Sequence, residues 1–151
     1  LIDLISQREY LKTPVDRLVD DICRRLRKAI PVVFRKNQPK NENDFNDKVE
    51  GILNSDKPQF EREHPQVAFG MAKARPDHSS RDFSLLIESK YLRAKTTASA
   101  VTDGVSSDLI KYPKDSHVLF ILYDPQRKIP DEQKFKSAFP TGERCTICII
   151  K

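Results

Sequence analysis

The chain has 151 residues, 38% apolar and 32% charged, with a net charge of +5. That length encloses the core of one domain, and no apolar run approaches the ~20 residues that cross a bilayer. The basic balance favours an anionic partner, although Lys and Arg are interspersed with Asp and Glu. Only four Gly are present, and no Gly-rich phosphate-cradling loop can be drawn from them. Cys23, Cys145 and Cys148 have no framework spacing, which places the chain in a reducing, cytoplasmic compartment.

Thr13-Pro14 opens a helix, with Thr as cap and Pro at the first position. Val15, Leu18, Val19, Ile22, Leu26 and Ile30 then recur at helical spacing, and Pro31 is expected to stop it. The basic cluster Arg24-Arg25-Leu26-Arg27-Lys28 near the helix C-terminus reads at least as well as a solvated face as it does as a DNA-contacting surface. After a polar loop, Asn43 is predicted to cap a second helix over 44–54, with Phe45, Val49, Ile52 and Leu53 apolar and Glu50 beside that stripe. Asn54 to Pro58 reads as a turn.

Strand-like segments follow, one over Gln66–Lys73 and a stronger one over Phe83–Leu92. In the latter, Phe83, Leu85, Ile87 and Tyr91 point one way, and Ser84, Leu86, Glu88, Lys90 and Leu92 the other. Thr96 to Lys111 reads as a helix despite Gly104, and Pro113 ends it. His117–Tyr123 is continuously apolar, the pattern of a strand buried on both faces. A short helix is predicted over Asp131–Phe139 and a last strand over Cys145–Ile150. On that strand Cys145 and Cys148 face opposite sides, so this CxxC cannot hold a zinc ion. The strand–helix–strand crossover implies an α/β fold with a partly parallel, mixed sheet flanked by helices.

Chemistry concentrates between Arg75 and Lys90. Glu88 and Lys90 share one face of a mostly apolar strand, a costly placement unless they pair or react. Asp82 lies six residues before Glu88, roughly 20 Å along an extended strand, too far to share an ion with it unless a bulge intervenes. Asp77 falls on a neighbouring strand if 78–83 form the turn region of a hairpin, and is the favoured partner; Asp82 is kept as the alternative. His78 reads as a turn residue. Carboxylates suit Mg2+, and Lys90 would add a positive point charge at a phosphate. Glu50 is a further candidate acid from the second helix, with Glu42 and Asp47 behind it.

Pro76-Asp77, ten intervening residues, then Glu88-Ser89-Lys90 resembles the signature of the PD-(D/E)XK nucleases, and the element order resembles their restriction-endonuclease-like αβββαβ core over about 44–123. The resemblance implies Mg2+-dependent cleavage of DNA phosphodiester bonds, of restriction or defence type, with Mn2+ able to substitute. It makes Asp77 and Glu88 metal ligands and Lys90 the catalytic lysine. Arg93, Lys95 and Lys111 become candidate DNA contacts, with Tyr91 or Tyr112 lining the groove. Residues 1–40 and 125–151 are expected to be additions to that core within one domain. Because the chain begins at Leu1, further domains of a longer protein are expected outside it. Cutting both strands favours a homodimer. The rival readings are a nucleic-acid-binding module with a degenerate nuclease fold, and a protein-interaction domain docking through the first helix.

Overall fold

The computed structural model describes residues 12–56, 59–82 and 84–151. Helices α1 (Pro14–Val33) and α2 (Glu42–Leu53) precede strands β1 (Phe60–Arg62), β2 (Val67–Phe69), β3 (Ala72–Ala74), β4 (His78–Ser80) and β5 (Leu85–Tyr91). Then come α3 (Ala98–Lys111), β6 (His117–Tyr123), α4 (Glu132–Lys136) and β7 (Cys145–Ile150). Five strands form one mixed sheet in the order β1-β4-β5-β6-β7. The β1/β4 and β4/β5 pairs are antiparallel, and β5/β6 and β6/β7 are parallel. β2 and β3 form a separate two-stranded hairpin. This is the α/β architecture expected of the restriction-endonuclease-like core.

Strand alternation divides the interior into two layers. Leu85, Ile87, Leu119, Ile121, Cys148 and Ile150 pack beneath α1 and α2. Leu86, Val118, Phe120, Leu122, Cys145 and Ile147 pack beneath Val101 and Val105 of α3 and Phe135 of α4. Cys145 and Cys148 therefore lie on opposite faces, as the strand reading requires. β6 is buried from Val118 to Tyr123 and has a neighbour on each side, which explains its unbroken apolar run.

The N-terminal helix is part of this core. Val19, Ile22, Cys23, Leu26 and Ile30 are buried in the first layer, and β7 extends the sheet beside β6. Thr13 and Asp16 close a reciprocal cap at the start of α1. Pro31 does not stop α1, which runs on to Val33. A proline within the last turn removes one backbone donor, and Phe34 N–H still reaches the Ile30 carbonyl. α2 starts earlier than predicted because Asn41, not Asn43, accepts the capping bond, from Asp44 N–H. Arg25, read as a solvated cation, donates to the Ile52 carbonyl and, at 2.7 Å, to Ser55 Oγ at the end of α2.

Three other expectations change. Gln66–Lys73 is not one strand: Gly70, at φ 60°, turns the chain between β2 and β3. His78 is a fully buried strand residue rather than a turn residue, because β4 is an interior strand between β1 and β5. The β4–β5 turn is shorter than 78–83, since β4 runs to Ser80. Phe83, Pro58 and residues 1–11 lie outside the described residues.

Arg144 fastens the end of α3 to the body. Its guanidinium donates to the carbonyls of Leu109 (3.0 Å), Pro113 (2.8 Å) and Ser116 (3.1 Å). One fork thus joins the last turn of α3 to the loop that follows it. Arg144→Ala is expected to lower unfolding stability by about 1–2 kcal/mol, and Arg144→Lys to recover little of it. Urea denaturation measures this; an unchanged midpoint for Arg144→Ala would show that water replaces the fork.

Candidate active site

The site lies at the C-terminal end of β5, where the parallel half of the sheet meets the antiparallel half. The β4/β5 register pairs His78 with Ile87 and Ser79 with Leu86. One step further, Asp77 stands opposite Glu88. Directly opposed residues share a face, so the hairpin brings together two acids eleven residues apart in sequence. The Ser89 N–H donates to Asp77 Oδ2 at 2.7 Å, fixing the Asp77 carboxylate against β5. Glu88 is 9% exposed, and the Tyr112 hydroxyl, from the end of α3, donates to its Oε1.

Burial and the neighbouring Asp77 charge push the Glu88 carboxyl up to about 9, against the opposing pull of the Tyr112 hydrogen bond. Burial also raises Asp77, opposed by its hydrogen bonds from Ser89 and with Glu88. Tyr112 is itself held protonated by burial and by the Glu88 charge.

Lys90 follows on the same face. Its Nζ lies 2.6 Å from Asp108 Oδ2 of α3, with both side chains largely enclosed. Burial disfavours the ammonium, but the Asp108 carboxylate outweighs it and holds the Lys90 pKa above the ordinary lysine value. Gly104 lies along this path: a Cβ there would sit 3.4 Å from Lys90 Nζ and 3.5 Å from Cε, in ordinary van der Waals contact.

The other candidates separate by position. Asp82 Oδ1 accepts from Ser84 Oγ (2.7 Å), Ser80 Oγ (2.9 Å) and Ser84 N–H (3.1 Å). Those bonds, from Ser84 first, hold it below the usual carboxylate range. It braces the β4–β5 turn, at the opposite end of β5 from Glu88. Glu50 and Asp47 both pair with Arg62 of edge strand β1, and neither is brought to Glu88. Glu42 is the α2 acid whose charge reaches Lys90, and its Oε1 accepts from Tyr91 N–H at 3.4 Å. Arg93 donates to the Lys40 carbonyl and lies 5.4 Å from the Tyr91 ring centroid. Lys95 is exposed in the turn after β5. Lys111 lies 3.6 Å from Asp108 Oδ1.

Asp108 has no role in the sequence pattern, and Tyr112, expected to line the groove, donates its hydroxyl to Glu88. The two lie four apart, the spacing that aligns side chains on one helix face. A strict amphipathic reading treats Asp108 as surface charge and hides this signal.

Among the described residues, no group of three His, Cys, Asp or Glu side chains could hold a metal by itself. Two adjacent carboxyls, Glu88 buried and Asp77 half-buried, fit Mg2+, which takes one or two protein carboxylates and leaves its other positions to water and phosphate oxygens. They do not make the closed cage of a structural zinc ion. Lys90 cannot relieve the acid pair alone, because Asp108 already engages it.

The displaced Glu88 pKa sets a pH dependence. From about 4.5 to about 9 the unfolded chain gives up the Glu88 proton while the folded state retains it. Folding therefore becomes less favourable as pH rises through that window. In metal-free protein, Glu88→Gln is expected to change the melting temperature little at pH 4.5 and to raise it by about 3–6 °C at pH 8.5. Scanning calorimetry of both proteins across pH tests this; equal melting temperatures at pH 8.5 would contradict it.

The chain matches the model of the DpnII-MboI restriction endonuclease family, REase_DpnII-MboI, over residues 17–151. No curated protein and no solved structure matches. The matched span runs from α1 through β7 and includes Asp77, Glu88, Lys90, Asp108 and Tyr112. The chain belongs to the DpnII-MboI restriction endonuclease family, of restriction-endonuclease-like PD-(D/E)XK type, and is a DNA endonuclease.

Proposed function

We propose that this endonuclease is Mg2+-dependent, with Asp77 and Glu88 as metal ligands and Lys90 as the catalytic cation. The observation that carries the reading is the opposition of Asp77 and Glu88 across β4 and β5, with Lys90 two residues further along the same face. A bound divalent ion would lower the pKa of a coordinated water and neutralise charge developing on the scissile phosphate. Mn2+, with similar oxygen preferences, would substitute.

The chain supplies orientation around that site. The Ser89 N–H occupies one Asp77 oxygen and the Tyr112 hydroxyl one Glu88 oxygen, so each carboxylate turns fixed acceptor capacity toward the shared space. Asp108 keeps Lys90 charged and holds its Nζ in place before substrate arrives. From there Lys90 would bind a phosphate oxygen or orient the attacking water. Glu42 is the supplementary acid that the Lys90 electrostatics favour over Glu50. Asp82 serves the turn.

Exposed Lys95 suits a phosphate contact beside the site, whereas half-buried Lys111 pairs with Asp108 and Arg93 is engaged with Tyr91 and Lys40. A homodimer would let two such centres cut the two strands of a duplex. The three free cysteines accord with a reducing cytoplasm.

Plasmid cleavage tests the assignment. The parent chain is expected to linearise supercoiled DNA with Mg2+ or Mn2+ and to stop with EDTA. Lys90→Ala should slow the reaction by about 10²–10³-fold. Cleavage in EDTA, or Lys90→Ala cutting at the parental rate, would refute it.

A further inference from the structure

The β2–β3 hairpin has a tip that the fold does not use. Val67 packs toward α3 in the second core layer, and the register Val67↔Ala74, Phe69↔Ala72 places Phe69 on the same face further out. Phe69 is 44% exposed and Met71, at the turn, is fully exposed. Isolated exposed apolar residues are ordinary, but two at the point of a projecting ribbon are not. The hairpin's own charge has one sign. No Asp or Glu occurs between Glu63 and Asp77, while Lys73 and Arg75 are both exposed.

The hairpin is also placed to meet substrate. It returns to the body at Asp77, and Met71 lies six residues before that acid. An extended chain of that length spans at most about 20 Å, so the tip stays within about six base-pair steps of a phosphate at the acid pair. A two-stranded ribbon fits the major groove of a duplex, where apolar side chains contact base edges and thymine methyls.

We infer that the β2–β3 hairpin enters a groove of the duplex DNA being cut, with Phe69 and Met71 against base edges and Lys73 and Arg75 toward the flanking phosphates. The inference rests on the DNA-cleaving role of the neighbouring acids, and makes the hairpin a determinant of where the enzyme cuts.

Photo-crosslinking tests it on the full chain. Met71 is replaced by p-benzoylphenylalanine and irradiated with a labelled mixed-sequence duplex in EDTA. Exposed Val32 of α1, on the other face of the sheet, carries the same replacement as control. Position 71 is expected to crosslink at least about tenfold more than position 32, and F69S/M71S to cut plasmid about tenfold more slowly with an unchanged melting temperature. Equal crosslinking at the two positions, or no binding of duplex by the parent, overturns the inference. Strong crosslinking from position 71 by a parent that fails to cut with any divalent metal would sustain the hairpin's role and sink the proposed active centre instead.

Discussion

Two acids, Asp77 and Glu88, meet across an antiparallel strand pair, and burial, with the Asp77 charge second, sets the charge state of the candidate site. Asp77 and Glu88 are too enclosed for water to screen them, so the metal-free protein keeps Glu88 protonated well above the usual carboxylate range. Each acid is also tied down by a donor, the Ser89 N–H or the Tyr112 hydroxyl. In the metal-free protein a proton on Glu88 thus stands where a second negative charge would be. Lys90, paired with Asp108, draws both acids down without offsetting their burial.

The sheet makes this arrangement possible by changing direction at β5. Its antiparallel neighbour β4 brings Asp77 opposite Glu88. Its parallel neighbour β6 requires a crossover, and that crossover is α3, the source of Asp108 and Tyr112. Arg144 donates to the Leu109 and Tyr112 carbonyls at the end of α3 and to those of Pro113 and Ser116 beyond it, so a residue just before the last strand helps to position the hydroxyl on Glu88. On the opposite face, Tyr123 stacks against Phe45 (5.5 Å) and Tyr91 (5.7 Å), joining α2 to the ends of β5 and β6. That cluster keeps Glu42 beside the strand that carries Lys90.

Much of this was legible in the sequence wherever periodicity and distance acted together. Alternation along β5 separates Leu85 and Ile87 from Leu86, Glu88 and Lys90, and the two core layers follow that division. Strand length alone disfavours Asp82 as a neighbour of Glu88. What could not be read are tertiary choices that leave no local pattern. The burial of His78 depends on β1 covering β4, and a three-residue strand has too little pattern to announce itself. Glu50 and Glu42 are both acids on α2, and only the docking of that helix sends one to Arg62 and the other toward Tyr91 and Lys90. Asp108 looks like any helix surface charge until Lys90 crosses Gly104 to meet it.

We propose that Asp77, not Asp82, completes a divalent-cation site with Glu88. Isothermal titration calorimetry with Mg2+ on Asp77→Asn and Asp82→Asn measures this most directly. Asp82→Asn is expected to bind Mg2+ as the parent does, and Asp77→Asn to bind at least about tenfold more weakly. Parental affinity in Asp77→Asn together with lost binding in Asp82→Asn would contradict the account.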